Sequence, residues 1–167
     1  VGDVANAAMS SADAVMLSAE TAAGKYPIKT VKMMDRILRE IEGHQWSTGN
    51  IGDDLGGYRE LPSSRRAIAY AANTLARDLK LQGIIVPTHS GHTAAVLSAS
   101  RPPSPLLGVS ASQSTCQKLS LHWGIIPFQI KQEESHNWRQ LSQEIGARCK
   151  LTKTGNRVLL VSGFNDD

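Results

Sequence analysis

Residues 84–109 read IIVPTHSGHTAAVLSASRPPSPLLGV, and the order of apolar and polar residues in this stretch decides the fold. Ile84-Ile85-Val86 is a continuous apolar run of strand length. It lacks alternation, as expected of a strand buried on both faces. Thr88 to Thr93 is a loop of small polar residues, and Ala94 to Ser100 reads as a short helix. Arg101 to Pro105 is a proline-rich turn, and Leu106 to Val109 is the next strand. Strand, helix and strand joined by short connections make a βαβ unit, whose strands lie parallel.

The pattern continues on both sides. Downstream, Ser114 to His122 reads as a helix, and Ile125 to Ile130 as a strand interrupted by Pro127. His136 to Cys149 reads as a helix with Trp138, Leu141 and Ile145 on its apolar face, and Val158 to Val161 as a last strand. Upstream, Ser63 or Ser64 can cap a helix carrying Ile68, Ala71, Ala72, Leu75, Ala76 and Leu79 on one stripe, closed by Gly83. Residues 43–63 hold Gly43, Gly49, Gly52, Gly56 and Gly57 with little periodicity, which marks a hinge. Before the hinge, Pro27 opens a helix whose apolar face is Ile28, Val31, Met34, Ile37, Leu38 and Ile41, with Gly43 as its end. Asp3 to Ser11 reads as a short helix with Asp3 as N-cap. Ala14 to Leu17 reads as a short buried strand, and Ser18 to Gly24 as the loop after it. The expected fold is therefore α/β with a mostly parallel sheet. Residues 1–43 form one part, 44–63 the linker and 64–167 a second α/β domain.

Composition narrows the function. Hydrophobic residues make up 41% and charged residues 20%, an ordinary globular balance that can support a core without staples. The net charge is +3, but Lys and Arg are scattered and no basic run is interleaved with aromatics. That argues against nucleic acid as a partner and suits small anionic ligands. No apolar run approaches a membrane span. Cys116 and Cys149 form no metal or redox motif and read as free thiols of a cytoplasmic protein. Trp46, Trp123 and Trp138 read as packing residues. The chain begins Val1-Gly2-Asp3, without Met, and stops soon after a strand-like run. It reads as a segment of a longer polypeptide.

Two loops carry chemistry. Ser18 and Glu20 follow a strand-like run, the position where β/α barrels place their active sites. Glu20 can move protons or order water, and Ser18 can relay or hold a hydrogen bond. The same spacing also describes a helix-capping loop with a solvated Glu. In the second loop, Thr88, Ser90, Gly91, His92 and Thr93 combine hydroxyls, a glycine and the amides of a helix start. Such a combination can cradle a phosphate, and it can also be a capped turn. His89 and His92 stand three apart with no Cys, Asp or Glu close in sequence, so a metal site is not expected. Ser90 lacks a G-x-S-x-G elbow, which argues against hydrolase chemistry.

Longer strings add to this local reading. Asp3-Val4-Ala5-Asn6-Ala7, then Ala12-Asp13, then Met16-Leu17-Ser18-Ala19-Glu20-Thr21-Ala22, ending in Gly24-Lys25-Tyr26-Pro27, closely resemble the pyruvate kinases, bacterial type. In that family the stretch is the last turn of a (β/α)8 catalytic barrel. Thr88-x-Ser90-Gly91-x-Thr93 resembles the effector-phosphate loop of the family's C-terminal domain. Arg101-Pro102, Pro105-Leu106-Leu107-Gly108-Val109 and Trp123-Gly124-Ile125-Ile126-Pro127 resemble the turns and strands that follow it. Two departures stand out. Ala19 replaces the family's usual Gly, and Gly163-Phe164-Asn165-Asp166 does not resemble the family's glycine-rich effector loop.

The resemblance implies phosphoryl transfer from phosphoenolpyruvate to ADP, followed by protonation of the enolate to pyruvate. It implies Ser18 and Glu20 beside the enolate. Mg²⁺, K⁺ and the catalytic lysine would be held upstream of Val1, so this chain by itself is expected not to turn over. It further implies a sugar-phosphate or nucleotide effector at Thr88, Ser90, Gly91, His92 and Thr93, and a homotetramer. A stand-alone phosphometabolite-binding module and an oligomerisation element are the alternative readings. A barrel tail alone would expose apolar helix surface, with Met34 and Leu38 as the expected positions.

Overall fold

The computed structural model describes residues 1–48, 64–131, 137–151 and 156–162. Positions 49–63, which carry most of the expected hinge and Ser63, lie outside them, as do His136 and the segment from Gly163 onward. The chain divides into two compact units, Val1–Asp54 and Leu55–Asp167.

The first unit is helical: α1 (Gly2–Met9), α2 (Ala19–Ala22) and α3 (Pro27–Thr48). Pro27 opens α3 because its missing N–H falls where a helix start has no acceptor anyway. Gly43 does not end the helix. It lies inside α3, which continues to Thr48. A glycine costs a helix interior only about 1 kcal/mol, too little to stop a long helix. Helix α1 starts after Val1, so Asp3 is a first-turn acid beside the helix dipole and not the N-cap. Ala14 to Leu17 is not a strand. A strand needs a neighbour for its backbone groups, and among the described residues of this unit there is none. Met16 accordingly stands 88% exposed. Helices α1 and α2 both pack on α3, which leaves Met34, Ile37, Leu38 and Ile41 half-buried. The exposed apolar side chains of α3 are instead Ile28, Val31, Met33 and Trp46.

The second unit is a parallel α/β sheet. Its elements are α4 (Ser64–Asp78), β1 (Gly83–Pro87), α5 (His92–Ala99), β2 (Leu106–Ser110), α6 (Gln113–Leu119), β3 (Ile125–Gln129), α7 (Trp138–Arg148) and β4 (Val158–Leu160). The strand order is β3-β2-β1-β4, and every pairing is parallel. Ile84 pairs with Leu106 and with Leu159, and Leu107 pairs with Ile126.

Because successive strand residues point to opposite faces, β1 and β2 feed two cores. Ile84, Val86 and Leu106 join Ala69, Ala72 and Ala76 of α4, Ala94 and Leu97 of α5, and Leu119 of α6. Ile85, Leu107 and Val109 join Leu141 and Ile145 of α7 on the other side. The handedness of parallel crossovers explains the split. Steps from β1 to β2 and from β2 to β3 run one way, and the step from β3 to β4 runs back past both. A right-handed crossover then places α7 on the opposite face.

The buried face of α4 is Ala69, Ala72, Asn73 and Ala76, one position round from the expected stripe. Small alanines let this helix approach the sheet closely. Ile68, Ala71 and Leu75, with Leu159, Leu160 and Val161, line a groove of about 270 Å³. Gly83 does not close α4 but opens β1. The helix stops through Lys80, whose φ is +50°, with Leu81 N–H donating to Ala76 O and Lys80 N–H to Arg77 O. Among the tryptophans, Trp138 packs on the α7 core and Trp123 lies 4.8 Å below the Arg101 guanidinium, but Trp46 is exposed and is not a packing residue.

Candidate functional site

The loop from Thr88 to Thr93 leaves the carboxyl end of β1, the central strand next to β4. From β1 the chain passes to β2 on one side, whereas β4 flanks the other. In parallel α/β sheets ligands commonly bind beyond the carboxyl ends of the strands, which is where this loop stands.

Three bonds shape the loop. Thr88 N–H donates to Val109 O at 2.9 Å, so the loop starts as an extension of the sheet. Gly91 N–H donates to Thr88 Oγ1 at 3.0 Å, folding the turn back on itself. Thr115 Oγ1 of α6 donates to His89 O at 2.9 Å. Gly91 is the N-cap of α5 with φ +91°, a left-handed conformation that side chains disfavour. A Cβ there would also lie 3.4 Å from Leu119 Cδ2 and Thr115 Cγ2. His92, Thr93 and Ala94 form the first turn of α5, whose N–H groups have no acceptor within the helix. His92 N–H is 3.4 Å from Ser90 Oγ. His89, Ser90 and His92 are exposed, and Thr88 and Thr93 are half-buried. The five residues singled out here, Thr88, Ser90, Gly91, His92 and Thr93, therefore meet in one loop. Sequence reading missed Thr115, because its link to His89 crosses 26 residues and no local pattern marks it.

Ser18 and Glu20 lie in the other unit and form a separate constellation. Ser18 precedes the single turn of α2, and its N–H donates to Glu20 Oε2 at 3.0 Å. Backbone N–H groups of Glu20 itself and of Ser18 hold the Glu20 carboxyl below its ordinary value of 4.5. The carboxylate is thus charged at neutral pH, as an acceptor. Gly24 is required by space: a Cβ there would collide with the Glu20 carbonyl. Both Ser18 and Glu20 are exposed.

Among the described residues no three His, Cys, Asp or Glu side chains come together to hold a metal ion. Burial pushes both the Cys116 and Cys149 thiols up, and both cysteines are free. Among the described residues no helix is long and apolar enough to cross a membrane.

Comparison with known proteins follows the same division. Residues 66–167 match the family model "Pyruvate kinase, alpha/beta domain", and residues 1–31 match "Pyruvate kinase, barrel domain". A pyruvate kinase of Sporosarcina psychrophila is 36% identical over 171 residues, covering 96% of this chain and 27% of that protein. One of Methylorubrum extorquens is 33% identical over 168 residues, covering 98% of this chain and 34% of that protein. The crystal structure of Cryptosporidium parvum pyruvate kinase superposes with a TM-score of 0.78 at 24% identity, over 96% of this chain and 33% of that one, a likeness of fold. The chain thus spans about a third of the length of the relatives it matches.

Proposed function

The chain belongs to the pyruvate kinase family, and from that premise we propose that it is the end of the catalytic barrel and the regulatory C-terminal domain of a glycolytic pyruvate kinase. The parent enzyme transfers the phosphoryl group of phosphoenolpyruvate to ADP, giving ATP, and the enolate left behind takes up a proton to become pyruvate. The observation that carries this reading is the order of the two matches, barrel before α/β domain, along one chain. Residues 1–43 are then the barrel tail and 64–167 the C-terminal domain. Met16, Ile28, Val31 and Met33 form the apolar surface that the rest of the barrel covers. Mg²⁺ and K⁺ belong to this reading as ions held by residues outside this chain.

In this reading Ser18 and Glu20 stand beside the enolate. Glu20 accepts a hydrogen bond there and orients the hydroxyl or water that donates the proton. Thr88, Ser90, Gly91, His92 and Thr93 bind the phosphate of a sugar-phosphate or nucleotide effector through hydroxyls and the N–H groups of α5. A cytoplasmic homotetramer completes the proposal.

Purified chain given phosphoenolpyruvate, ADP, Mg²⁺ and K⁺ is expected to form no pyruvate. Turnover, with intact enzyme excluded as a contaminant, would overturn the assignment as a catalytically incomplete segment. In the full-length protein, Glu20→Gln should lower kcat more than it raises KM. An unchanged kcat would remove Glu20 from the site.

One observation favours a second reading. All buried residues among those described lie in the Leu55–Asp167 unit, as does the whole Thr88–Thr93 loop, which suits a phosphometabolite-binding module acting without catalysis. The reading frame upstream of Val1 separates the two. A frame that encodes no barrel leaves the module alone.

A further inference from the structure

The contact between Gly24 and Glu20 reaches further than the space it leaves. A Cβ at position 24 would run into the Glu20 carbonyl oxygen, and it would lie 2.8 Å from the carbonyl carbon and 3.1 Å from the Cα of the same residue. All three atoms are backbone, so no change of rotamer relieves the contact. One of the two segments would have to move. Residue 24 is poorly placed to withdraw. Ala23 N–H is held by Ala19 O at 2.9 Å, and Pro27, three residues on, opens α3, against which α2 packs. The Glu20 side has a softer response, a tilt of the Glu20–Thr21 peptide. That peptide is a rigid plane, so its carbonyl and the Thr21 N–H move together. Thr21 N–H donates to Ser18 O at 3.2 Å, and Thr21 Oγ1 donates to the same oxygen at 3.2 Å. A displaced Glu20 carbonyl therefore carries Thr21 off Ser18. The same displacement shifts Glu20 relative to Ser18, whose N–H donates to Glu20 Oε2 at 3.0 Å.

We propose that Gly24 is a positioning residue for the Ser18–Glu20 pair: without a side chain, it lets the chain close on the Glu20 backbone and fixes the peptide that holds Glu20 to Ser18. The inference rests on the reading of Ser18 and Glu20 as groups beside the enolate. Gly24 acts on the reaction only through Glu20.

The test is a double-mutant cycle in the full-length enzyme, with Glu20→Gln, Gly24→Ala and the two combined. Gly24→Ala should lower kcat about 10- to 100-fold, the scale of a misplacement of about 1 Å, and leave KM for phosphoenolpyruvate nearly unchanged. In the Glu20→Gln background the same substitution should cost almost nothing more, because the group that it positions is already lost. A merely structural role would lower the melting temperature and reduce kcat by the same factor in both backgrounds, and such additive losses overturn the proposal. Unchanged kcat in Gly24→Ala, with a clear loss in Glu20→Gln, also overturns it and leaves the enolate site standing. Unchanged kcat in Glu20→Gln overturns that reading, and the proposal with it. If full-length Gly24→Ala does not fold, the Ser18 amide NMR signal of the 167-residue chain is followed against pH instead. Its midpoint should then move up toward 4.5 in Gly24→Ala. The same depressed midpoint as in the original chain overturns the proposal. So does a general loss of the α1 and α3 signals, which makes Gly24 a residue of the fold alone.

Discussion

A Cβ at position 108 would lie 2.9 Å from Leu119 Cδ1 and 3.1 Å from Ile125 Cγ2. Both neighbours are buried in the larger core, so neither can give way freely. Gly108→Ala should therefore destabilise the α/β unit by about 1–3 kcal/mol, the usual cost of overpacking. Urea denaturation with an unchanged m-value checks it. Glu20 shows the opposite case, a single residue whose effect depends on pH. Its folded-state pKa is depressed, so the contribution of its bond to Ser18 is fully present above the ordinary value of 4.5. That contribution is lost as pH falls through the lower folded value. The Ser18 amide shift should thus titrate with a midpoint below 4.5, and Glu20→Gln should abolish the titration. A midpoint at or above 4.5 would contradict the bond. Ser18 and Glu20 were legible in the sequence as residue types after a strand-like run. The carboxylate's bond to its own backbone was not, because residue types and spacing do not fix which way the Glu20 side chain turns.

At the scale of elements, the strands of the α/β unit were legible and the helix ends were not. Ile84 to Val86 and Leu106 to Val109 announce themselves because a strand buried on both faces has no polar side to show. Glycine was the expected stop signal at Gly43 and Gly83, yet the stops fall elsewhere. Helices α1, α4 and α7 end with Ser11, Lys80 and Lys150 at φ +60°, +50° and +58°. Each is followed by a paired set of closing hydrogen bonds, such as Leu151 N–H to Gly146 O and Lys150 N–H to Ala147 O. Any residue can enter this conformation when the next apolar residue, here Leu81 or Leu151, is drawn into the core. The left-handed backbone still carries a cost for lysine. Lys80→Gly should therefore raise stability by about 0.5–1 kcal/mol, net of the greater freedom of glycine in the unfolded chain. Thermal denaturation is the check, and a lower melting temperature would count against the strained-cap account. Ala14 to Leu17 marks the other limit of local reading. A strand is a relation between segments, and four apolar residues do not carry their partner with them.

For the whole molecule, the distribution of burial is the decisive quantity. The described part of the first unit contains no buried residue, whereas the second unit has a core on each face of its sheet. Native-state hydrogen exchange should follow that contrast. Amides of β1 and β2 should exchange only through global unfolding, and amides of α3 through much cheaper local openings. Equal protection in α3 and β1 would contradict it. The sequence by itself determined the family, the α/β class and the parallel strands. These rest on local periodicity and on ordered strings such as Met16 to Pro27, which need no knowledge of distant contacts. Only the tertiary structure decided which face of α4 is buried, how the helices divide between the two sides of the sheet, and that Thr115 holds the His89 carbonyl. Each of those depends on the strand order β3-β2-β1-β4. That order follows from the handedness of the crossovers and the packing of whole elements, and such packing couples residues far apart in the chain that no local window contains together.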